Sequence, residues 1–141
     1  MSTFANGRVF VQTHGAPMSA LVLRVGAGGF LVMNHGWPKL MTWGANYASF
    51  ADPLGVSHPV SLALTIFGEL VCGLLIVVGL VTRWAALPAI ITMLVAAFIV
   101  HHGKTFSDGE HALLYAIAFT AIALLGPGPW SVDGVIRKKP A

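Results

Sequence analysis

Long apolar runs, each broken by few ionisable residues, dominate the chain. A membrane-spanning helix needs about 20 mostly apolar residues, and four stretches approach that length: 18–37, 59–81, 84–100 and 110–125. The second and third are joined by a predicted tight turn at Thr82-Arg83, and short connections force neighbouring helices to run antiparallel. The pattern predicts an all-α fold, an integral membrane four-helix up-down bundle.

The ends of the chain lie outside these apolar stretches. We expect residues 1–17 to form an N-terminal tail, residues 18–126 the four-helix transmembrane domain, and residues 127–141 a basic C-terminal tail. The run Gly126-Pro127-Gly128-Pro129 should end the fourth helix, because proline cannot continue a helix. Ser107 and Asp108 are expected to cap the start of that helix.

Composition narrows the class of protein further. Hydrophobic residues make up 56% of the chain and charged residues 9%, against about 25% charged in an ordinary soluble domain. This argues against a soluble globular domain and excludes a disordered chain. The net charge of +3 comes from scattered basic residues, so we expect the lipid bilayer and not nucleic acid as the partner. A single cysteine, Cys72, excludes an internal disulfide.

Basic residues outside the spans predict the orientation, because cytoplasmic segments of membrane proteins are enriched in lysine and arginine. The end of the bundle with both termini carries five of them and the opposite end carries two, Lys39 and Lys104. The five are Arg8, Arg83, Arg137, Lys138 and Lys139. Both termini are therefore predicted to be cytoplasmic.

Glu69 lies near the middle of the second predicted span, where an ionisable residue is costly and is by default a candidate functional group. Its neighbours at helical spacing are small or weakly polar: Thr65, Gly68, Cys72 and Gly73. Such a face allows another helix to approach closely, so Glu69 should point into the bundle. It is a candidate for a proton path, a quinone head group or a cation. A buried carboxyl that only fixes helix register is an equal alternative.

Arg24 lies inside the cytoplasmic end of the first predicted span. Its long side chain is expected to reach the headgroups, as basic residues near helix ends do. The alternative is an ion pair between Arg24 and Glu69, whose depths differ by roughly 10 Å at 1.5 Å per residue.

The topology brings a second polar group to the non-cytoplasmic end, contributed by three helices. Its members are His35, His101, His102, Glu110 and His111. Imidazole and carboxylate groups are ligands of zinc, copper or iron, and they also relay protons or bind a quinone oxygen. The alternative is a set of interfacial histidines that contact water and headgroups.

Several motifs, taken in order, resemble the DoxX family of small four-helix bacterial membrane proteins. They are His35-Gly36-Trp37-Pro38-Lys39-Leu40, Phe50, Asp52-Pro53-Leu54-Gly55, GELVCGLLIVVGLVTR, Gly109-Glu110 and GPGPWSVDG. The resemblance implies a location in the bacterial inner membrane and an association with redox enzymes. One member type is a membrane subunit of a thiosulfate:quinone oxidoreductase, which makes quinone one candidate cofactor beside a metal ion.

The resemblance and the polar residues together give a first hypothesis. The chain is an accessory subunit of a quinone-linked membrane complex, with protein partners or further copies of itself. Its polar, quinone or proton site contains His35, Lys39, Glu69 and Glu110. One alternative is a metal-binding membrane protein whose ligands are His35, His101, His102, Glu110 and His111. Another is a purely structural accessory subunit, and no catalytic residue is assigned.

Overall fold

The computed structural model describes the backbone of residues 2–138 and the side chains of residues 15–137. Every described element is helical, which confirms the all-α class. The first long helix consists of Ser2–Leu31, Val32–Gly36 and Trp37–Met41, and the second consists of His58–Ile66, Phe67–Val71 and Cys72–Val78. The third consists of Thr82–Val95 and Ala96–Val100, and the fourth is Glu110–Leu125. Two short helices, Trp43–Asn46 and Val132–Lys138, complete the described chain. Lys139, in the predicted basic tail, lies outside the described residues.

Three segments are long and apolar enough to cross a membrane: Gly15–Met41, His58–Val78 and Thr82–Val100. The fourth long helix is apolar but shorter. The first long helix already begins at Ser2, within the segment predicted as a tail, and the short helix Val132–Lys138 lies within the predicted C-terminal tail. The multi-pass helical membrane architecture predicted from the apolar runs is thus confirmed.

Glycines set the distance between the first two long helices. A Cβ atom on Gly36 would lie 2.7 Å from the backbone nitrogen of Leu70, and one on Gly28 would lie 2.9 Å from a methyl group of Val77. Only glycine allows helices to approach this closely. Gly73, also buried, packs against Val32. The small face around Glu69 therefore points inward, as predicted.

The second long helix ends earlier than predicted. Gly79 has φ +75°, the left-handed conformation that glycine adopts without strain and that often ends a helix. The third helix then begins at Thr82, so the prediction of a turn at Thr82-Arg83 is wrong. Val81 and Thr82 donate their backbone N–H groups to the Asp133 carboxylate at 2.9 and 3.0 Å. Asp133, which lies far from Thr82 along the chain, thus caps the N-terminal end of the third helix.

The pKa of Asp133 lies below its ordinary value. Partial burial raises it, but the hydrogen bonds from Thr82 and Val81 and the charge of Arg137 together outweigh burial.

The predicted cap of the fourth helix is not formed: Gly109 precedes that helix without a side-chain cap. Ser107 instead donates its hydroxyl to the carbonyl of Lys104, because the residues before Gly109 form a turn of their own.

Candidate functional site

Each of the first three long helices contains one π-helical turn, and all three turns contribute residues to the lining of a single cleft between the helices. They are Val32–Gly36, Phe67–Val71 and Ala96–Val100. Single π-helical turns within α-helices occur frequently at functional sites. The first holds His35 and the second holds Glu69, so two helices that pack closely through glycine also present these polar side chains.

An ion pair joins the first and second helices at this level. Lys39 Nζ donates to Glu69 Oε2 at 2.6 Å, and the Glu69 side chain is 5% exposed against 25% for Lys39. The pair forms because Gly36, one turn before Lys39, lets the first helix lie against Leu70, the neighbour of Glu69. Of the groups described around the carboxylate, Lys39 alone hydrogen-bonds to it.

A cleft of about 640 Å³ leads outward from this ion pair. The second and third helices pack against each other along Phe67–Val71 and Cys72–Val78. They diverge along His58–Ile66, and the cleft opens between them. Its walls are apolar and include Leu64, Phe67, Ile91 and Val95. The side chains of Leu64, Phe67 and Ile91 are about half exposed, so the cleft opens sideways, where a bilayer would hold acyl chains.

The inner end and the mouth of the cleft carry the polar groups. His35 lies beside the ion pair. Its ring packs edge to face against the ring of Tyr115, with 5.6 Å between the ring centroids. His101, Asp108 and His111 lie at the mouth. Such an arrangement offers a buried acid, a cation and several hydrogen-bonding groups to a molecule with an apolar body.

A loop closes one side of the mouth, and Asp52 holds it in place. The Asp52 carboxylate accepts hydrogen bonds from Ser61 Oγ at 2.7 Å and from the N–H groups of Val56 and Ser57. These hydrogen bonds hold the pKa of Asp52 below its ordinary value, and the bond from Ser61 has the largest effect. The loop residues Phe50, Ala51, Pro53 and Leu54 then line the cleft.

The structure brings together part of the predicted site. His35, Lys39, Glu69, His101 and His111 all line the cleft. His102 and Glu110 do not line it and are exposed. Among the residues whose side chains are described, no three histidine, cysteine, aspartate or glutamate groups lie close enough to hold a metal ion. The predicted metal ligands therefore do not form one cluster in this structure.

Arg24 and Glu69 are not brought together. Arg24 is 1% exposed and donates from Nη2 to the backbone carbonyl of Trp130 at 2.6 Å. Its Nε and Nη1 have no hydrogen-bond partner. The guanidinium therefore lies under the C-terminal segment. The sequence had predicted that it reaches outward to the headgroups, and that prediction is wrong.

Sequence reasoning missed some of the groups that line the cleft. They are Tyr115, Thr92 and Asp108, with the loop residues Phe50, Ala51, Pro53 and Leu54. The DoxX-like motif containing Phe50 and Asp52 was the available signal for the loop. Tyr115 follows His111 by one turn on the fourth helix, and that spacing could have placed both on one face.

The fold and the cleft define a small helical membrane protein with a polar site between its helices. The sequence profile of the DoxX family matches residues 19–102, more than half of the chain, and the chain belongs to that family. It is 31% identical over 115 residues to the inner membrane protein YqjF of Escherichia coli strain K12, a match that covers 77% of this chain and 85% of YqjF. No solved structure matches the chain. The chain is thus a multi-pass protein of the bacterial inner membrane.

Proposed function

We propose that this chain is an accessory subunit of a quinone-linked redox complex and that its cleft binds the quinone. The observation that carries the proposal is the combination of apolar walls with the Lys39–Glu69 ion pair at the inner end of the cleft. Ligand sites of small molecules typically combine an apolar lining with a few converging polar groups. A quinone is an apolar ring and tail with two carbonyl oxygens, and it matches that combination.

The side chains have complementary roles in this proposal. The Lys39 ammonium donates a hydrogen bond to one carbonyl oxygen of the quinone, and His35 or Tyr115 donates to the other. Glu69 lies beside the first oxygen and exchanges a proton with the bound molecule. The sideways opening past Leu64 and Ile91 gives the apolar tail a path to the bilayer, where quinones dissolve. Electrons come from a partner protein.

The proposal includes the arrangement in the membrane. Four helices cross the bilayer, and both termini are cytoplasmic, because five lysines and arginines lie outside the spans at the end with the termini and two, Lys39 and Lys104, lie at the other. The tails 1–17 and 127–141 are then both cytoplasmic. Fusions of alkaline phosphatase or green fluorescent protein after residue 141 test this, since only the fluorescent protein should be active. An active phosphatase fusion would contradict the orientation.

Purification from the native membrane in a mild detergent tests the redox association. Partners that copurify in fixed stoichiometry should carry haem, flavin or iron–sulfur motifs, and solvent extraction should release quinone from the preparation. Two variants form a matched pair for the quinone measurement. Leu64→Trp fills the cleft and should lose quinone, whereas Leu124→Trp adds the same bulk at an exposed position of the fourth helix and should retain it. A chain that is isolated without partners and without quinone would refute the proposal.

A further inference from the structure

A second pocket lies at the opposite end of the bundle from the mouth of the cleft. It has a volume of about 290 Å³ and lies where the third helix begins and the fourth helix ends. Two arginines, Arg83 and Arg137, line it together with Leu125, Gly134 and residues 127–129. Two guanidinium groups that share one pocket repel each other unless an anion lies between them.

The described groups near the pocket supply too little negative charge for these arginines. Of the five acidic residues in the chain, Asp133 alone lies in the segments that build this end. Its carboxylate already accepts hydrogen bonds from Val81 N–H, Thr82 N–H and the Thr82 hydroxyl. The described part of this end therefore has three arginines, with Arg24 included, against one carboxylate.

Arg83 lies against the end of the fourth helix. Arg83 Nη2 donates to the carbonyl of Leu124 at 3.4 Å, and its guanidinium lies beside Gly126, whose φ of +80° turns the chain at the end of the fourth helix. Most of its N–H groups stay available to a ligand, since guanidinium has five donors. Arg137 faces the same pocket from the short helix Val132–Lys138.

The surroundings of the pocket match the headgroup region of a membrane. Trp84 is 74% exposed and Trp130 is 50% exposed, and tryptophan is enriched at membrane–water interfaces. Val135 and Ile136, on the short helix, are also exposed. Exposed apolar side chains therefore lie next in the chain to residues that line the pocket.

We infer that Arg83 and Arg137 form a binding site for a phosphate group, supplied by an anionic phospholipid. The planar guanidinium donates paired hydrogen bonds to phosphate oxygens, and basic pockets between membrane helices bind anionic headgroups. The exposed apolar side chains Trp84, Trp130, Val135 and Ile136 would then contact the acyl chains of the same lipid. The site does not depend on the quinone proposal, because it shares no residue with the cleft.

Binding of short-chain lipids to the purified full-length protein tests the inference. Thermal unfolding in detergent is followed with dihexanoyl phosphatidylglycerol, with dihexanoyl phosphatidylcholine, and with inorganic phosphate. We expect phosphatidylglycerol to raise the Tm more than phosphatidylcholine does. Arg83→Gln/Arg137→Gln should bind phosphatidylglycerol at least tenfold more weakly. Lys104→Gln removes one positive charge at the other end of the bundle, beside Asp108, and should bind like the wild type.

The arms of the experiment separate the outcomes. If inorganic phosphate raises the Tm of the wild type as much as the lipid and the double variant abolishes both effects, the site exists but takes a free phosphate. Arg137→Gln alone, in an exposed position, leaves the bond between Arg83 and Leu124 intact and should still weaken binding. The inference is overturned if the wild type does not prefer phosphatidylglycerol, or if the folded double variant binds it like the wild type.

Discussion

The Lys39–Glu69 ion pair gives the sharpest prediction about stability, because its two partners differ in exposure. Lys39→Met leaves the carboxyl of Glu69 buried at 5% exposure with no cation beside it. Breaking a buried pair from one side costs about 3–5 kcal/mol. We expect about 3 kcal/mol here, because the carboxyl can take up a proton and because Lys39 itself is a quarter exposed.

Removing the other partner should cost less. In Glu69→Gln the amide keeps the shape of the side chain and can accept a hydrogen bond from Lys39, which is itself a quarter exposed. The loss is that of a charge-assisted hydrogen bond, about 1–2 kcal/mol. The double variant Lys39→Met/Glu69→Gln leaves no buried charge, so it should lose only about 1–2 kcal/mol. The resulting coupling energy is about 2–4 kcal/mol.

Reversible unfolding in mixed micelles, followed by circular dichroism, measures this cycle. Lys104→Met is the matched control, since its partner Asp108 lies 3.6 Å away and both side chains are more than half exposed. That variant should change the free energy of unfolding by at most about 0.5 kcal/mol. Effects of Lys39→Met and Glu69→Gln that add within about 0.5 kcal/mol would refute the reasoning.

Two further predictions concern backbone contacts. Gly36→Ala should destabilise the fold by about 1–3 kcal/mol, because its Cβ would meet the backbone of Glu69 and Leu70 at 2.7–2.9 Å; Gly44→Ala, with open space around the new Cβ, should unfold like the wild type, and equal behaviour of the two would contradict the close helix crossing. Asp133→Ala should cost about 1–3 kcal/mol through its lost hydrogen bonds. Because the pKa of Asp133 is lowered in the folded state, its stabilisation is present above about pH 4, the ordinary pKa of aspartate, and is lost as pH falls through the lower folded value. The Tm difference between wild type and Asp133→Ala should therefore shrink in acid, whereas a difference that grows in acid would show the opposite sign; Asp108→Ala, an exposed position, should show little change.

The helical class and the membrane location could be predicted from the sequence, because apolar length alone decides them. The inward direction of Glu69 was also accessible, since the small residues beside it lie at helical spacing. The partner of Glu69 was not, because it depends on how the first helix crosses the second. That crossing is set by the contact between Gly36 and Leu70, which no local pattern reveals.

The two adjacent histidines of the third helix illustrate a second limit. His101 lines the cleft and His102 does not. The π-helical turn Ala96–Val100 ends directly before them, and it shifts the faces of all later residues relative to a regular α-helix. Sequence spacing alone cannot decide between the neighbours. The contact of Asp133 with Thr82 likewise joins residues far apart in the chain.

Equilibrium binding of decylubiquinone to the protein in lipid nanodiscs tests the central claim most directly. The wild type should bind one molecule per cleft with saturation. Leu64→Trp should weaken binding at least tenfold by filling the wall of the cleft, whereas Leu124→Trp should bind like the wild type. A lack of saturable binding to the wild type, or equal binding by all three proteins, would contradict a quinone site between the second and third helices.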